Sequence, residues 1–253
     1  MSPVFTGRTV LITGASGVLG RATAVAFGRA GANVVAAGRD RAELDRTVAA
    51  VEAAGGTASS VTVDVTDAAS VAAMVGAAVE RHGRLDVAFN NAGVFGALAP
   101  VADQDERAWS DVVDVNLKGV FLSMKHEIAA MRATGGGAIV NTSSRIGVHG
   151  RLPGASAYAA SKAAVSVLTM NAAREHTGDG IRINAVSPGP IDSPMSLRPG
   201  ETEADRADRM KASLPIGRVA DADEVAAAVL WLASDEASYV VGTDLLVDGG
   251  SSA

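Results

Sequence analysis

The chain has 253 residues and a formal net charge of −6, is 48% hydrophobic and 20% charged, and contains no cysteine. That composition excludes a disordered chain, disulfide and thiolate chemistry and, because the basic residues are scattered, the clustered positive stripe that nucleic-acid phosphates demand. No apolar run approaches the roughly 18 residues of a membrane helix, and the N-terminus lacks a signal peptide's basic and long apolar regions, so a cytoplasmic protein without nucleic-acid or membrane partners is expected.

Short runs rich in β-branched residues predict strands at Thr9–Thr13, Asn33–Ala37, Ser59–Val63, Val87–Asn90, Ala138–Asn141, Arg182–Val186 and Leu245–Val247, apolar enough for burial on both faces. The first leads straight into Gly14-Ala15-Ser16-Gly17-Val18-Leu19-Gly20 and an alanine-rich helical stretch. Glycine permits positive φ and close backbone approach, and a helix N-terminus offers unpaired N–H groups with a partial positive charge. In a strand-to-helix turn this points to a dinucleotide pyrophosphate; elsewhere a glycine cluster would mark only a tight turn.

Past the second strand stand Gly38, Arg39 and Asp40. Dinucleotide folds commonly place a carboxylate here against the ribose 2′-hydroxyl. With Gly38 in that place and the Arg39 guanidinium beside it, nothing repels a 2′-phosphate, and NADP is expected ahead of NAD. Asp40 reads also as an N-cap, with Glu43 three residues on, for a helix carrying Leu44, Val48 and Val51 and stopped by Gly55-Gly56. The next helix is predicted with Thr66 as its cap, Val71, Met74, Val75 and Ala78 on one stripe, and Gly83 at its end. This alternation implies right-handed crossovers and a doubly wound α/β fold: a parallel sheet of about seven strands with helices on both faces, in one domain over residues 1–253.

Tyr158 and Lys162 fall one turn apart on a predicted helix that continues through Val165, Leu168 and Thr169. A phenol titrates at about pH 10 in water, and a neighbouring ammonium favours the phenolate, so the pair is expected to exchange a proton near neutrality. Taken alone, Tyr-x-x-x-Lys is also what a core aromatic beside a solvated lysine would give. One long stretch, Pro188 to Asp223, carries no strand signal and includes the charged segment Pro194–Lys211, with a short helix expected around Glu203–Lys211. Residues 190–213 are read as a flexible loop over the pocket. Asp221, Glu224, Val225, Val229 and Leu232 mark one more amphipathic helix.

Together, Thr13-Gly14 with its glycine turn, Asn90-Asn91-Ala92-Gly93, Asn116, Ser144, Tyr158 with Lys162, Pro188-Gly189 and the terminal Val247-Asp248-Gly249-Gly250 resemble, in order and spacing, the short-chain dehydrogenase/reductase family in its single-domain form. The resemblance implies an oxidoreductase that moves hydride between NADP(H), or less favourably NAD(H), and a carbonyl or secondary alcohol of a small molecule. Tyr158 would be the general acid/base and Ser144 would hydrogen-bond the substrate oxygen. Lys162 would lower the tyrosine pKa and hold the nicotinamide ribose, while Asn116 would position a water that relays protons to solvent. The implied cofactor contacts are Gly14, Ser16, Gly17, Val18, Leu19, Gly20, Gly38, Arg39, Asp64, Val65, Asn91, Ala92, Gly93, Tyr158, Lys162, Pro188, Gly189, Ile191 and Ser193, with Asn90 bracing the central strand. Family members also pair two long helices, here around Val112–Met131 and Tyr158–His176, into homodimers or homotetramers.

Two features depart from the commonest family pattern. Val18 stands where a glycine is usual, the spacing of longer, extended members, whose additional substrate domain is not expected in a chain that ends at Ala253. Ser144 and Tyr158 are one residue further apart than in the pattern, with Arg151-Leu152-Pro153-Gly154 taking the extra residue. Thr142 and Ser143 offer hydroxyls at the same strand end; Ser144 is chosen because Ile146-Gly147 follows it as in the family. The pocket is expected to be mixed, lined by Arg145, His149, Val94, Phe95, Met195 and Leu152, whereas Trp109, Val112, Val113 and Phe121 are assigned to core and subunit contacts. His82, His126, His149 and His176 are too dispersed for a metal site. Two functions compete with this one. A ketoreductase of carrier-bound 3-oxoacyl chains needs a basic docking patch, for which Arg145, Arg151, Arg198 and Arg206 are the candidates. A non-catalytic dinucleotide-binding regulator would have no use for Tyr158 and Lys162 together.

Overall fold

The computed structural model describes residues 4–198 and 200–253. Among them, β1 (Thr9–Thr13), β2 (Asn33–Gly38), β3 (Thr57–Thr62), β4 (Val87–Asn90), β5 (Gly137–Thr142), β6 (Ile181–Pro188) and β7 (Asp244–Val247) form one parallel sheet in the order β3-β2-β1-β4-β5-β6-β7. Strand β1 pairs with β2 from Thr9 opposite Asn33 to Thr13 opposite Ala37, and with β4 on its other side. The chain winds outward in opposite directions from these two central strands, so a crevice opens at their carboxyl ends.

Successive side chains on a strand point to opposite faces, and the apolar runs therefore build two cores. Leu11, Val35, Ile139 and Ile183 pack with Val71, Met74, Met124 and Val165, supplied by α3 (Ala68–His82), α5 (Gly119–Ala133) and α6 (Ser156–His176). Val10, Ile12, Phe89 and Val140 pack with Leu19, Phe27, Leu44 and Val229, supplied by α1 (Val18–Arg29), α2 (Arg41–Ala53) and α8 (Ala222–Ala233). Helices α4 (Glu106–Val113) and α7 (Glu203–Ser213) lie in the connections after β4 and β6. This is the doubly wound, Rossmann-type α/β fold that the alternation predicts. No helix among the described residues is long and apolar enough to cross a membrane.

Local departures have local causes. Strand β3 begins two residues before the predicted Ser59 because it is a sheet edge, where half-buried side chains dilute the apolar signal. Asp67, not Thr66, caps α3 by accepting from Ser70 N; the Thr66 N–H and hydroxyl both donate to Asp64 Oδ1 instead. Asp40 and Asp221 cap α2 and α8, the latter in a reciprocal box with Glu224. The single long helix expected over Val112–Met131 is interrupted by a π-helical turn at Asp114–Lys118, a distortion frequent at functional sites.

Candidate active site

The crevice is stitched shut at its base. Thr13 Oγ1, at the end of β1, accepts from the backbone N–H groups of Asn91 (3.1 Å) and Ala92 (3.2 Å), and Asn91 Nδ2 donates to the Gly14 carbonyl (3.2 Å). Two glycines in the turn are sterically required. Gly14 has φ +64°, and a Cβ there would lie 2.9 Å from the Ala92 backbone; a Cβ on Gly20 would lie 2.2 Å from the Gly14 carbonyl oxygen. Val18 opens α1 with no positive φ and is 43% exposed, so that position does not require glycine and the departure from the family pattern introduces no strain. Ser16 is half-buried, and Leu19 packs into the core. Gly17 is the N-cap of α1, and no side chain caps the helix, which leaves first-turn N–H groups for an anion. A dinucleotide pyrophosphate fits this glycine cradle and bare helix N-terminus.

At the neighbouring strand end Gly38 is buried, and a Cβ there would meet Ser16 Oγ and Leu44 Cδ2 at 3.4 Å, ordinary contact. Arg39 is exposed and makes no side-chain hydrogen bond or ion pair among the described residues. Asp64 is held below the usual carboxylate range by the Thr66 N–H and hydroxyl, with a smaller contribution from the Arg39 charge. Val65 turns its side chain into the core, where a Cβ on Gly119 would come within 2.9 Å of it, so a ligand could meet Val65 only through its backbone.

The three hydroxyls at the end of β5 separate by partner. Thr142 Oγ1 reaches Asn91 Oδ1 (3.5 Å), and buried Ser143 Oγ bonds the Lys162 carbonyl (2.9 Å) and Ser166 Oγ (2.7 Å). Ser144 Oγ accepts from Ile146 N (3.1 Å) and is the hydroxyl hydrogen-bonded to Tyr158. Lys162 Nζ donates to the Thr142 carbonyl (2.7 Å) and lies 5.8 Å from the centre of the Tyr158 ring. Burial lowers the lysine to about 8. Burial also pushes the Tyr158 phenol above its ordinary value, against the hydrogen bond from Ser144. The expectation that Lys162 draws the phenol down is therefore not met in this arrangement: its ammonium is engaged by a carbonyl and faces the ring, and desolvation dominates. Phe95, expected as a pocket wall, stacks on Tyr158 with ring centres 4.7 Å apart and a 40° tilt, which shields one face of the phenol from water.

Asn116 sits in the π-helical turn, buried, with Oδ1 accepting from Val94 N (2.8 Å) and Nδ2 donating to Val94 O (2.9 Å) and Ser161 Oγ (3.1 Å). Both amide hydrogens are thus engaged, and the side chain braces the Val94 turn. Gly93 passes beside it: a Cβ there would lie 3.2 Å from Asn116 Oδ1 and 3.5 Å from Lys162 Nζ. Asn90 points into the core, donating to Glu127 Oε2 and Asn141 Oδ1. On the far side, Pro188 O accepts from Arg145 N (3.1 Å), and Gly189 packs so closely on Asp248 that a Cβ would lie 2.8 Å from its Cα. Ile191 forms a bridge with Ala220. Ser193 O accepts from Arg206, which is buried and paired with Asp192 Oδ1 (2.5 Å), while Arg209 grips Glu201. Residues 190–213, of which Pro199 lies outside the described residues, are thereby built around α7, whose capping box joins Thr202 and Asp205. Met195 is exposed, and Leu152 and Val94 are half-buried.

Two acidic residues escape sequence reasoning. Asp244, at the start of β7, accepts from Ser166 Oγ (2.6 Å) and Ser187 Oγ (2.5 Å) and bonds His149 Nε2 (3.0 Å). His149 is therefore tied to the sheet through Asp244. Glu127 is buried beneath β4, where desolvation raises its carboxyl to about 8. Its only sequence trace is a charge among the apolar residues Met124, Ile128 and Met131 of α5.

This fold and this site define a class, the oxidoreductases that use a dinucleotide cofactor and a tyrosine–lysine pair. The chain belongs to the short-chain dehydrogenase/reductase family: the family model described as enoyl-(acyl carrier protein) reductase matches residues 14–252. It is 44% identical over 254 residues to the cis-4-hydroxycyclohexanecarboxylate dehydrogenase of Sinomonas cyclohexanicum, covering 100% of both chains. A crystal structure of levodione reductase superposes with a TM-score of 0.94 at 40% identity, covering 98% of each chain. That of NAD+-bound xylitol dehydrogenase does so with a TM-score of 0.91 at 33% identity, covering 97% of this chain and 99% of the other. The protein is accordingly a nicotinamide-dependent oxidoreductase acting on the alcohol or ketone of a small molecule.

Proposed function

We propose that the protein is an NADP(H)-dependent dehydrogenase/reductase of a small alicyclic alcohol or ketone, with Tyr158 as its general acid/base and binding and catalysis in one domain. The observation that carries this reading is the meeting of Ser144 Oγ, the Tyr158 phenol and Lys162 beside the glycine-bordered crevice. A nicotinamide dinucleotide supplies or accepts the hydride when bound. Gly14, Gly17 and the N-terminus of α1 would hold its pyrophosphate, and Lys162 its nicotinamide ribose. In reduction, Tyr158 gives its proton to the substrate oxygen while Ser144 donates a hydrogen bond to the same atom. Burial keeps the phenol protonated at neutral pH, the form needed for reduction, so alcohol oxidation should gain as pH rises. Lys162, at about 8, is matched to returning a proton near working pH.

NADP is preferred because Gly38 offers no carboxylate and Arg39 is exposed with no hydrogen bond or ion pair among the described residues; the xylitol dehydrogenase of similar structure is NAD+-bound. Arg39→Ala should weaken NADPH far more than NADH, and an equal effect on both overturns the preference. The ring in the substrate is suggested by the name of the Sinomonas relative. A free small molecule is favoured over a carrier-bound chain because the candidate docking patch is depleted: Arg206 is buried in its pair with Asp192, and Arg151 donates to the Gly147 and Gly150 carbonyls. We also infer a cytoplasmic homodimer or homotetramer joined through α5 and α6, where Phe121, Val167 and Met170 are exposed. The deciding experiment follows nicotinamide absorbance with cyclic ketones and alcohols against both dinucleotides. Turnover with NADPH is expected, and tight NADPH binding with no turnover on any of them would favour the regulator instead.

A further inference from the structure

We propose that Arg145 is a carboxylate-binding subsite, so that the substrate is an alicyclic hydroxy or keto acid. The substrate half of this statement rests on the ring-alcohol reading above; the subsite itself does not. Six arginines among the described residues are buried or half-buried: Arg8, Arg21, Arg145, Arg182, Arg206 and Arg209. Arg8, Arg21, Arg206 and Arg209 are ion-paired with Asp235, Glu43, Asp192 and Glu201, and Arg182 donates to three backbone carbonyls. Arg145 is the exception, with a side chain that makes no hydrogen bond or ion pair among the described residues. A half-buried cation has given up part of its hydration, and without a partner that loss is uncompensated.

The backbone position of Arg145 ties it to the reaction. Arg145 follows Ser144 in the chain, and its N–H donates to Pro188 O (3.1 Å), which fixes its main chain between the residue whose hydroxyl meets Tyr158 and the start of the loop after β6. Nη1 lies along Gly150, where a Cβ would come within 3.4 Å of it, so a side chain at position 150 would crowd it. The other polar groups of that turn are already used. His149 is held by Asp244, and Arg151 by two carbonyls. The pyrophosphate cradle lies at the end of β1, two strands away across β4, roughly 10 Å at ordinary strand spacing, and does not compete for Arg145. A planar guanidinium accepts a carboxylate through two parallel hydrogen bonds. One unassisted cation suits a monoanion better than a phosphate, which carries up to about two negative charges.

The test pairs an acid with its neutral ester. Binding of cyclohexanecarboxylate and of methyl cyclohexanecarboxylate to the full-length protein saturated with NADP+ is measured by calorimetry; neither probe has an alcohol to oxidise. The acid should bind more tightly than the ester, Arg145→Met should weaken the acid at least tenfold, and Arg145→Lys should restore part of the loss. NADPH binding by each variant reports that it is folded. The kcat/KM ratio of 4-oxocyclohexanecarboxylate to its methyl ester should likewise fall at least tenfold in Arg145→Met. Acid binding that is equal in wild type and Arg145→Met, or a wild type that binds the ester as tightly as the acid, overturns the subsite. Arg145-dependent acid binding without turnover of any ring ketone upholds the subsite and removes the ring-alcohol function; turnover of neutral ring ketones with no advantage for the acid does the reverse.

Discussion

The two walls of the crevice are built from different materials. The wall after β1 is backbone: a left-handed Gly14, a Gly20 with no room for a Cβ and an uncapped helix N-terminus. The wall after β5 and β6 is side chains brought from distant segments, with Ser144 against Tyr158, Phe95 on the phenol, Asp244 gripping His149, and Arg206 gripping Asp192. A backbone wall recognises what dinucleotides share and tolerates little change, whereas a side-chain wall sets the chemistry and is adjustable one residue at a time. Substitutions on the two walls should therefore fail differently.

The largest effect is expected on the side-chain wall. Tyr158→Phe keeps the ring that packs on Phe95 and removes the proton, so kcat should fall by about 10²–10⁴ while NADPH affinity, followed by fluorescence, persists. Retained turnover in that variant would falsify the proton-transfer assignment. On the backbone wall, Gly20→Ala drives a Cβ into the Gly14 carbonyl and should cost roughly 2–4 kcal/mol of stability, read by denaturant titration, with dinucleotide binding lost in parallel. A normal denaturation midpoint combined with normal binding would break the comparison.

Glu127, beneath both walls, sharpens it through pH. Its folded carboxyl titrates at about 8 against 4.5 for the ordinary group, so the folded state holds a proton that the unfolded state has released between those values. The associated stability is present in full below pH 4.5 and is lost as pH rises through 8. Glu127→Gln should flatten that decline and be more stable than wild type at the alkaline end by on the order of 2 kcal/mol, a difference that closes at low pH; thermal melts across the range would reveal parallel slopes if the carboxyl were ionised throughout. The smallest change is local. Arg206→Met should free the segment from Asp192 to Ser196 and speed amide exchange there and in α7, with about 1 kcal/mol of local stability lost and the global melt little altered. Unchanged exchange in that segment would mean that the pair with Asp192 does not hold the loop.

Sequence legibility followed the same division. Strands, the helix cap at Asp40, the glycine turn and the Tyr158–Lys162 spacing were all readable because short-range sterics and helical geometry restrict residue type at fixed offsets. The cap at Asp67 was misread because Thr66 and Asp67 are both competent caps, and the competition was decided by Asp64, which takes both Thr66 donors. That the Asn116 side chain braces Val94 was not readable, since only the π-helical turn brings it there.

By itself, the sequence determined the order of elements, the glycine turn and the spacing of Tyr158 and Lys162. Tertiary structure alone decided that burial raises the phenol, that Asp244 consumes His149 from 95 positions away, and that the Arg145 side chain finds no hydrogen-bond or ion-pair partner among the described residues. The reason is one of range: backbone sterics and helical spacing act within a few residues and leave a mark on the chain, whereas desolvation and ion pairing depend on which distant side chains share a volume, and that is fixed only when the sheet and its helices pack.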